Sequence, residues 1–229
     1  MYKSIINLIK EMNFQFWWPV DINYHNKNEG DWRVEIIIGA ILTQNTKWNL
    51  VEKNIEYLKS KNFIFRLEKI NDLSINDIKV PFRLRKLETL KYLSNYLLEN
   101  YGNIDNFSKL EINKMRNKLL KIKGIGKETC DAIILYSFEK PIFVVDYYTK
   151  KFFNRFEEYD KLRIEIEKIV NDNFNEIYNL FLDKLKNIEN RNLPFLSVYD
   201  LRKNISYGEK LTIIYKELHA MIDMKMKNL

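Results

Sequence analysis

Two acids, Glu128 and Asp146, stand out in the segment LLKIKGIGKETCDAIILYSFEKPIFVVD, residues 119–146. Asp146 closes an apolar run and precedes YYTKKFFNRF, so it stands where a helix would begin. There an aspartate can serve as an N-cap. The same helix terminus would hold its carboxylate ionised, and an ionised carboxylate can orient a water or stabilise an oxocarbenium-like centre. The sequence around Asp146 fits both roles. Glu128 lies two positions past the second glycine of Gly124-Ile125-Gly126, just inside a helical run. Lys121, Lys123 and Lys127 surround that turn. A glycine turn between two helices leaves loop N–H groups open to a close phosphate and suits a grip on backbone without reading of bases. An ordinary corner between helices has the same outline.

The elements that must position these groups read as helices. The chain has 229 residues, 46% hydrophobic and 30% charged, with only 6 Gly and 4 Pro. So few turn signals argue against many short strands, and an all-α fold is expected. Helical patterns run over 2–13, 33–44, 45–61, 81–102, 108–122, 127–138 and 166–188. Ser74 and Asp77 mark a helical start, and Asn45 or Thr46 is expected to cap the 45–61 helix. Residues 23–30 read as a loop and 140–145 as extended chain. The 33–44 segment is apolar nearly all round and is expected at the centre of a core.

Composition narrows the chemistry. The formal charge of +7 is compatible with a polyanionic partner, although a Lys- and Asn-rich chain can be basic through composition alone. Cys130 is the only cysteine, which excludes a four-cysteine iron–sulfur site or a disulfide within the chain, and it reads as packing. With His25 and His219 as the only imidazoles, a His-rich metal centre is not expected. The charged N-terminus lacks signal-peptide character, and IIIGAIL is too short to span a bilayer. A monomeric cytoplasmic protein with no membrane partner is the expectation.

At this point KGIGKETCDAIILYSFEKPIFVVD resembles the helix-hairpin-helix DNA glycosylases related to endonuclease III. GAILTQNT (39–46) is similar to the family's first core helix and the loop after it. The resemblance implies an all-α, two-lobed fold, with 33–137 as a central bundle carrying the hairpin and with 1–32 and 138–229 as the second lobe. It implies that Asp146 is the catalytic carboxylate and that Gln44 enters the gap left by a flipped base. Lys123, Gly124, Ile125, Gly126 and Lys127 would hold DNA phosphate, and the resemblance suggests a monovalent cation at that hairpin. Bifunctional members place a nucleophilic lysine where this chain has Glu128. A carboxylate cannot form an imine, so the resemblance implies hydrolysis by water and no lyase step. The family's iron–sulfur loop is absent, and no cofactor is required.

FWWP (16–19), TQNTKW (43–48), GIGKE and VVDYY also resemble the branch specific for 3-methyladenine. On that resemblance Trp17, Trp18, Pro19 and Trp48 would line the base pocket, with Glu128 at its edge. An N3-alkylated adenine carries positive charge and stacks well on aromatic faces. The tryptophans also fit a plain core role. His219 lies near the family's C-terminal histidine but lacks the residues that usually follow it, so capping or packing is the expected role. The expected partner is double-stranded DNA with damaged bases. A mismatch thymine or uracil glycosylase of the same fold, a broader alkyl-purine enzyme that also takes 7-methylguanine, and a non-catalytic DNA-binding module are the alternatives.

Overall fold

Apolar spacing decides where this chain coils. The computed structural model describes residues 1–227, and among them there is no β-strand. Helix α1 (Tyr2–Glu11) buries Ile5, Ile6, Leu8 and Ile9 on one stripe. A short α2 (Ile22–Lys27) follows, then α3 (Trp32–Leu42), buried without a break from Val34 to Leu42. Helix α4 (Trp48–Ser60) precedes two 3₁₀ turns, the second opened by the Ser74/Asp77 capping box. Helix α5 (Arg83–Tyr101) ends at Gly102. After α6 (Ile104–Ser108) come the hairpin helices α7 (Ile112–Leu119) and α8 (Lys127–Ala132), the latter running on into a π turn at Ile133–Ser137. The remainder comprises α9 (Tyr147–Phe153), α10 (Tyr159–Asp172), α11 (Phe174–Leu185) and α12 (Tyr207–Lys227).

The chain divides into two compact units. The hairpin unit is Val20–Phe138 and holds α2 to α8. Here α3 is the axis. It packs on α4, α5, α8 and the π turn, and Ser137 Oγ donates to the Arg33 carbonyl at 3.1 Å. The terminal unit joins Met1–Pro19 to the described residues from Glu139 onward. Its centre is α12, buried from Leu211 to Asp223 and packed on α1 and α9. Residues 140–145 carry no regular secondary structure, the Ile142 N–H donates to the Lys140 carbonyl at 2.9 Å, and the Phe143 N–H donates to Glu167 Oε1 at 2.8 Å.

The structure departs from the sequence reading at three places. Residues 23–30 were expected as loop, yet 22–27 form α2. Asp21 caps it by accepting the Tyr24 N–H, and His25 is buried against Glu35 Oε2 at 2.7 Å. That burial keeps 20–32 in the hairpin unit. The single helix expected over 166–188 is broken at Asn173 into α10 and α11, and the Asn173 amide donates back to the Ile169 carbonyl at 2.8 Å. The N-cap of α4 is Lys47 rather than Asn45 or Thr46. Asn45 takes a left-handed conformation (φ 49°), and Thr46 Oγ1 turns to the Gln44 carbonyl.

Candidate functional site

The hairpin is built by its first glycine. Gly124 has φ 93°, a conformation that only glycine adopts freely, and a Cβ there would lie 2.0 Å from Thr89 Oγ1 of α5. Ile125 anchors the turn, with a buried side chain and an N–H that donates to the Ile122 carbonyl at 3.1 Å. Gly126 opens α8 from an ordinary extended conformation, and a Cβ there would meet nothing within 4 Å. Space is thus kept open at Gly126 that the fold itself does not need. Lys123 is exposed, with its ammonium 5.9 Å from the centre of the Tyr92 ring, and Lys127 is half-buried. Glu128 is exposed in the first turn of α8.

Gln44 is tied to this turn. Its side-chain amide donates to the Gly124 carbonyl at 2.8 Å and to Thr129 Oγ1 at 3.0 Å. Lys86 fixes the same loop from below. It is fully buried in α5, and its ammonium donates to the Leu42 carbonyl at 2.8 Å and to Thr46 Oγ1 at 2.5 Å. Burial pushes this ammonium down to about 8. Sequence reading did not single out Lys86. The available signal was a lysine in register with the buried stripe Leu90, Leu93 and Leu97. Trp48 is half-buried at the start of α4 in the same unit.

In the terminal unit Asp146 caps α9. Its Oδ1 accepts the Thr149 N–H at 2.6 Å, while Oδ2 lies 3.8 Å from His219 Nε2. One oxygen is thus committed to the helix and the other faces an imidazole. His219, expected as a capping or core residue, is buried in α12 and packs edge-on against Phe143 at 6.4 Å between ring centres. It therefore packs as expected and also stands beside the candidate carboxylate.

Trp17 and Trp18 meet edge-on with ring centres 5.8 Å apart, and Trp18 is the more buried. Pro19 is exposed. The segment that carries them is clamped by Glu217 of α12, another residue that sequence reading passed over. Its two oxygens accept the N–H groups of Gln15 and Phe16 at 2.7 and 2.9 Å. Burial raises this carboxyl from its ordinary 4.5 to about 7 against the pull of the two N–H groups. The folded chain then holds the proton more tightly than the unfolded chain. The associated stability is complete below about pH 4.5 and is lost as pH rises through about 7. Glu217→Gln is expected to flatten this slope in melting curves taken between pH 4.5 and 7.5. A slope that persists in the variant would assign it to another group.

An open glycine turn between two helices and a carboxylate at the head of α9, with no strand among the described residues, match the arrangement expected of a helix-hairpin-helix DNA glycosylase, and the chain belongs to that family. It is 33% identical over 231 residues to a protein of Methanocaldococcus jannaschii provisionally named as a DNA repair glycosylase, covering 97% of this chain and 84% of that one. Among solved structures it resembles the 3-methyladenine DNA glycosylase MagIII of H. pylori bound to 1,N6-ethenoadenine. That likeness has a TM-score of 0.71 and 26% identity, and it covers 100% of this chain and 96% of the other. The 8-oxoguanine glycosylase/lyase of Clostridium acetobutylicum, in complex with double-stranded DNA, shares the fold at a TM-score of 0.56 and 15% identity, over 100% of this chain and 70% of that one. No family model matches the chain. Among the described residues, no helix is long and apolar enough to cross a membrane.

Proposed function

We propose that this chain is a monofunctional DNA glycosylase for alkylated purines, 3-methyladenine first, which flips the base and hydrolyses its N-glycosidic bond. The observation that carries the reading is Glu128. An exposed carboxylate occupies the α8 position where a lyase would present an amine. The reaction then needs water and a group that supports positive charge on the sugar, and Asp146 supplies the second through Oδ2. Flipping costs a few kcal/mol and is least for a damaged base. Lys123, Gly124, Gly126 and Lys127 hold phosphate, with the Ile125 side chain bracing the turn from beneath.

Gln44 fills the vacated stack. Its amide first leaves Gly124 and Thr129, so insertion and hairpin geometry are linked. Trp17, Trp18, Pro19, Trp48 and Glu128 are the residues assigned to contact with the base. A monovalent cation at the hairpin fits the donors there. The Ile122 and Gly124 carbonyls each accept one hydrogen bond and keep a second lone pair. A bound cation would add positive charge beside the phosphate.

Incubation with methylated duplex DNA, with chromatography of the released bases and a parallel reaction in borohydride, tests the reading. Free 3-methyladenine and no covalent adduct are expected. Absence of 3-methyladenine overturns the substrate, and a trapped adduct overturns the monofunctional chemistry.

A further inference from the structure

Helix α5 buries a charge that its packing does not call for. Lys86 falls in register with Leu90, Leu93 and Leu97 on the buried stripe of the helix, where an apolar side chain would complete the core. Both oxygens that its ammonium meets are neutral, the Leu42 carbonyl at 2.8 Å and Thr46 Oγ1 at 2.5 Å. Neutral acceptors return only part of the cost of taking an ammonium out of water. Both acceptors belong to one loop. Leu42 is the last residue of α3, and Thr46 stands two residues before Trp48, the first residue of α4. One ammonium therefore holds both ends of the loop that carries Gln44. The grip also reaches Gln44 itself. Thr46 Oγ1 accepts from Lys86 and donates its own proton to the Gln44 carbonyl at 3.1 Å. The main chain of Gln44 is thus tied to α5, whereas its side-chain amide is tied separately to the hairpin, at Gly124 and Thr129.

We propose that Lys86 is a positioning residue for base flipping. It fixes the backbone on either side of Gln44, so that the Gln44 amide passes from the hairpin to the vacated stack as a side-chain movement on a fixed loop. The role given to Gln44 rests on the function proposed above. An ammonium suits this task better than a neutral group. It can donate three hydrogen bonds from one point, and bonds from a charged donor are about twice as strong as neutral ones. A loop closed in this way loses its freedom on folding and not when DNA arrives, so less ordering opposes binding.

The test reads insertion without catalysis. The probe is a duplex with a tetrahydrofuran abasic site opposite 2-aminopurine, whose fluorescence reports whether the vacated stack is filled. Fluorescence and affinity are measured with this duplex, and affinity with an undamaged one. The proteins are the wild type, Gln44→Ala, Lys86→Met, Thr46→Val and Gln44→Ala combined with each of the other two. Gln44→Ala and Lys86→Met are each expected to lose the fluorescence change and about tenfold in affinity for the abasic duplex, the scale of a hydrogen bond to a charged group. Affinity for undamaged duplex is expected to stay near the wild type. Added to Gln44→Ala, Lys86→Met is expected to change nothing further, because it acts through Gln44. Thr46→Val keeps the side-chain shape and cuts the relay at a half-buried position. It is expected to follow Lys86→Met, and it carries the test if Lys86→Met does not fold. Losses that add in the pair, an equal fall for both duplexes, or a full fluorescence change in Lys86→Met or Thr46→Val would mean a general structural role and overturn the proposal. Equal fluorescence from the wild type and Gln44→Ala overturns it too, by removing the insertion that Lys86 would support. A chain that behaves as expected here but frees no 3-methyladenine from DNA keeps the role of Lys86 and loses the proposed substrate.

Discussion

Asp146→Asn is expected to lower base release by about 10³-fold or more while leaving the protein folded and bound to damaged duplex. The size of the effect follows from what the substitution removes. Cleavage of the N-glycosidic bond places positive charge on the sugar, and the reading assigns its stabilisation to this one carboxylate. Asparagine keeps an oxygen that can accept the Thr149 N–H, the bond that Asp146 Oδ1 makes at 2.6 Å. Asn and Asp are about equally good N-caps, so α9 keeps its start. What disappears is the charge on the oxygen that faces His219. Asp146→Ala separates the two roles. It removes the cap as well and is expected to cost about 1 kcal/mol of stability on top of the lost activity. Single-turnover release from methylated DNA gives the rate, and thermal melting gives the stability. Base release by Asp146→Asn at near the wild-type rate would leave Asp146 as a cap alone. It would turn the search for the catalytic group to other residues, His219 first.

Local chemistry made much of this fold readable. The Gly-Ile-Gly turn, the Gly102 stop of α5, the all-apolar α3 and the Ser74/Asp77 capping box each follow from residues within a turn or two of one another. The polar segment NYHNK hid α2, because a helix of 6 residues with a single buried side chain has no apolar period to detect. The break at Asn173 was hidden for the opposite reason. Ile166, Val170, Ile177, Phe181 and Leu185 are buried on both sides of it, and the sequence spacing carries straight across. At the site, residue types were legible but partnerships were not. Gln44 meets Gly124 across 80 positions, and Glu217 meets Gln15 across 202. No local pattern encodes such pairs. They are set by how helices pack, which a single sequence does not display.

Replacing each hairpin glycine by alanine is expected to separate folding from binding. Gly124→Ala meets two penalties. The backbone there has φ 93°, which strains any side chain by about 1–3 kcal/mol. The new Cβ would lie 2.0 Å from Thr89 Oγ1 and 3.1 Å from its Cβ and Cγ2. Thr89 has little room to yield, since it is buried and its hydroxyl donates to the Arg85 carbonyl at 2.9 Å. Overpacking of this kind adds roughly 1–3 kcal/mol. The sum is a loss of several kcal/mol, readable as a large fall in melting temperature. Thr89→Ala in the same chain removes the clash and leaves the strain, so it is expected to restore part of the loss. Gly126→Ala is the counterpart. Its backbone suits alanine and the added methyl meets nothing. The entropy gained by removing a glycine and the slightly poorer N-cap offset each other to within about 1 kcal/mol. A phosphate seated against Gly126 would, however, meet the new methyl, and affinity for DNA is expected to fall about tenfold, ~1.4 kcal/mol. Fluorescence anisotropy with an abasic duplex, read beside the melting curves, distinguishes the two variants. A stable Gly126→Ala protein with unchanged affinity would mean that phosphate does not approach at that glycine. The open space beside it would then need another occupant.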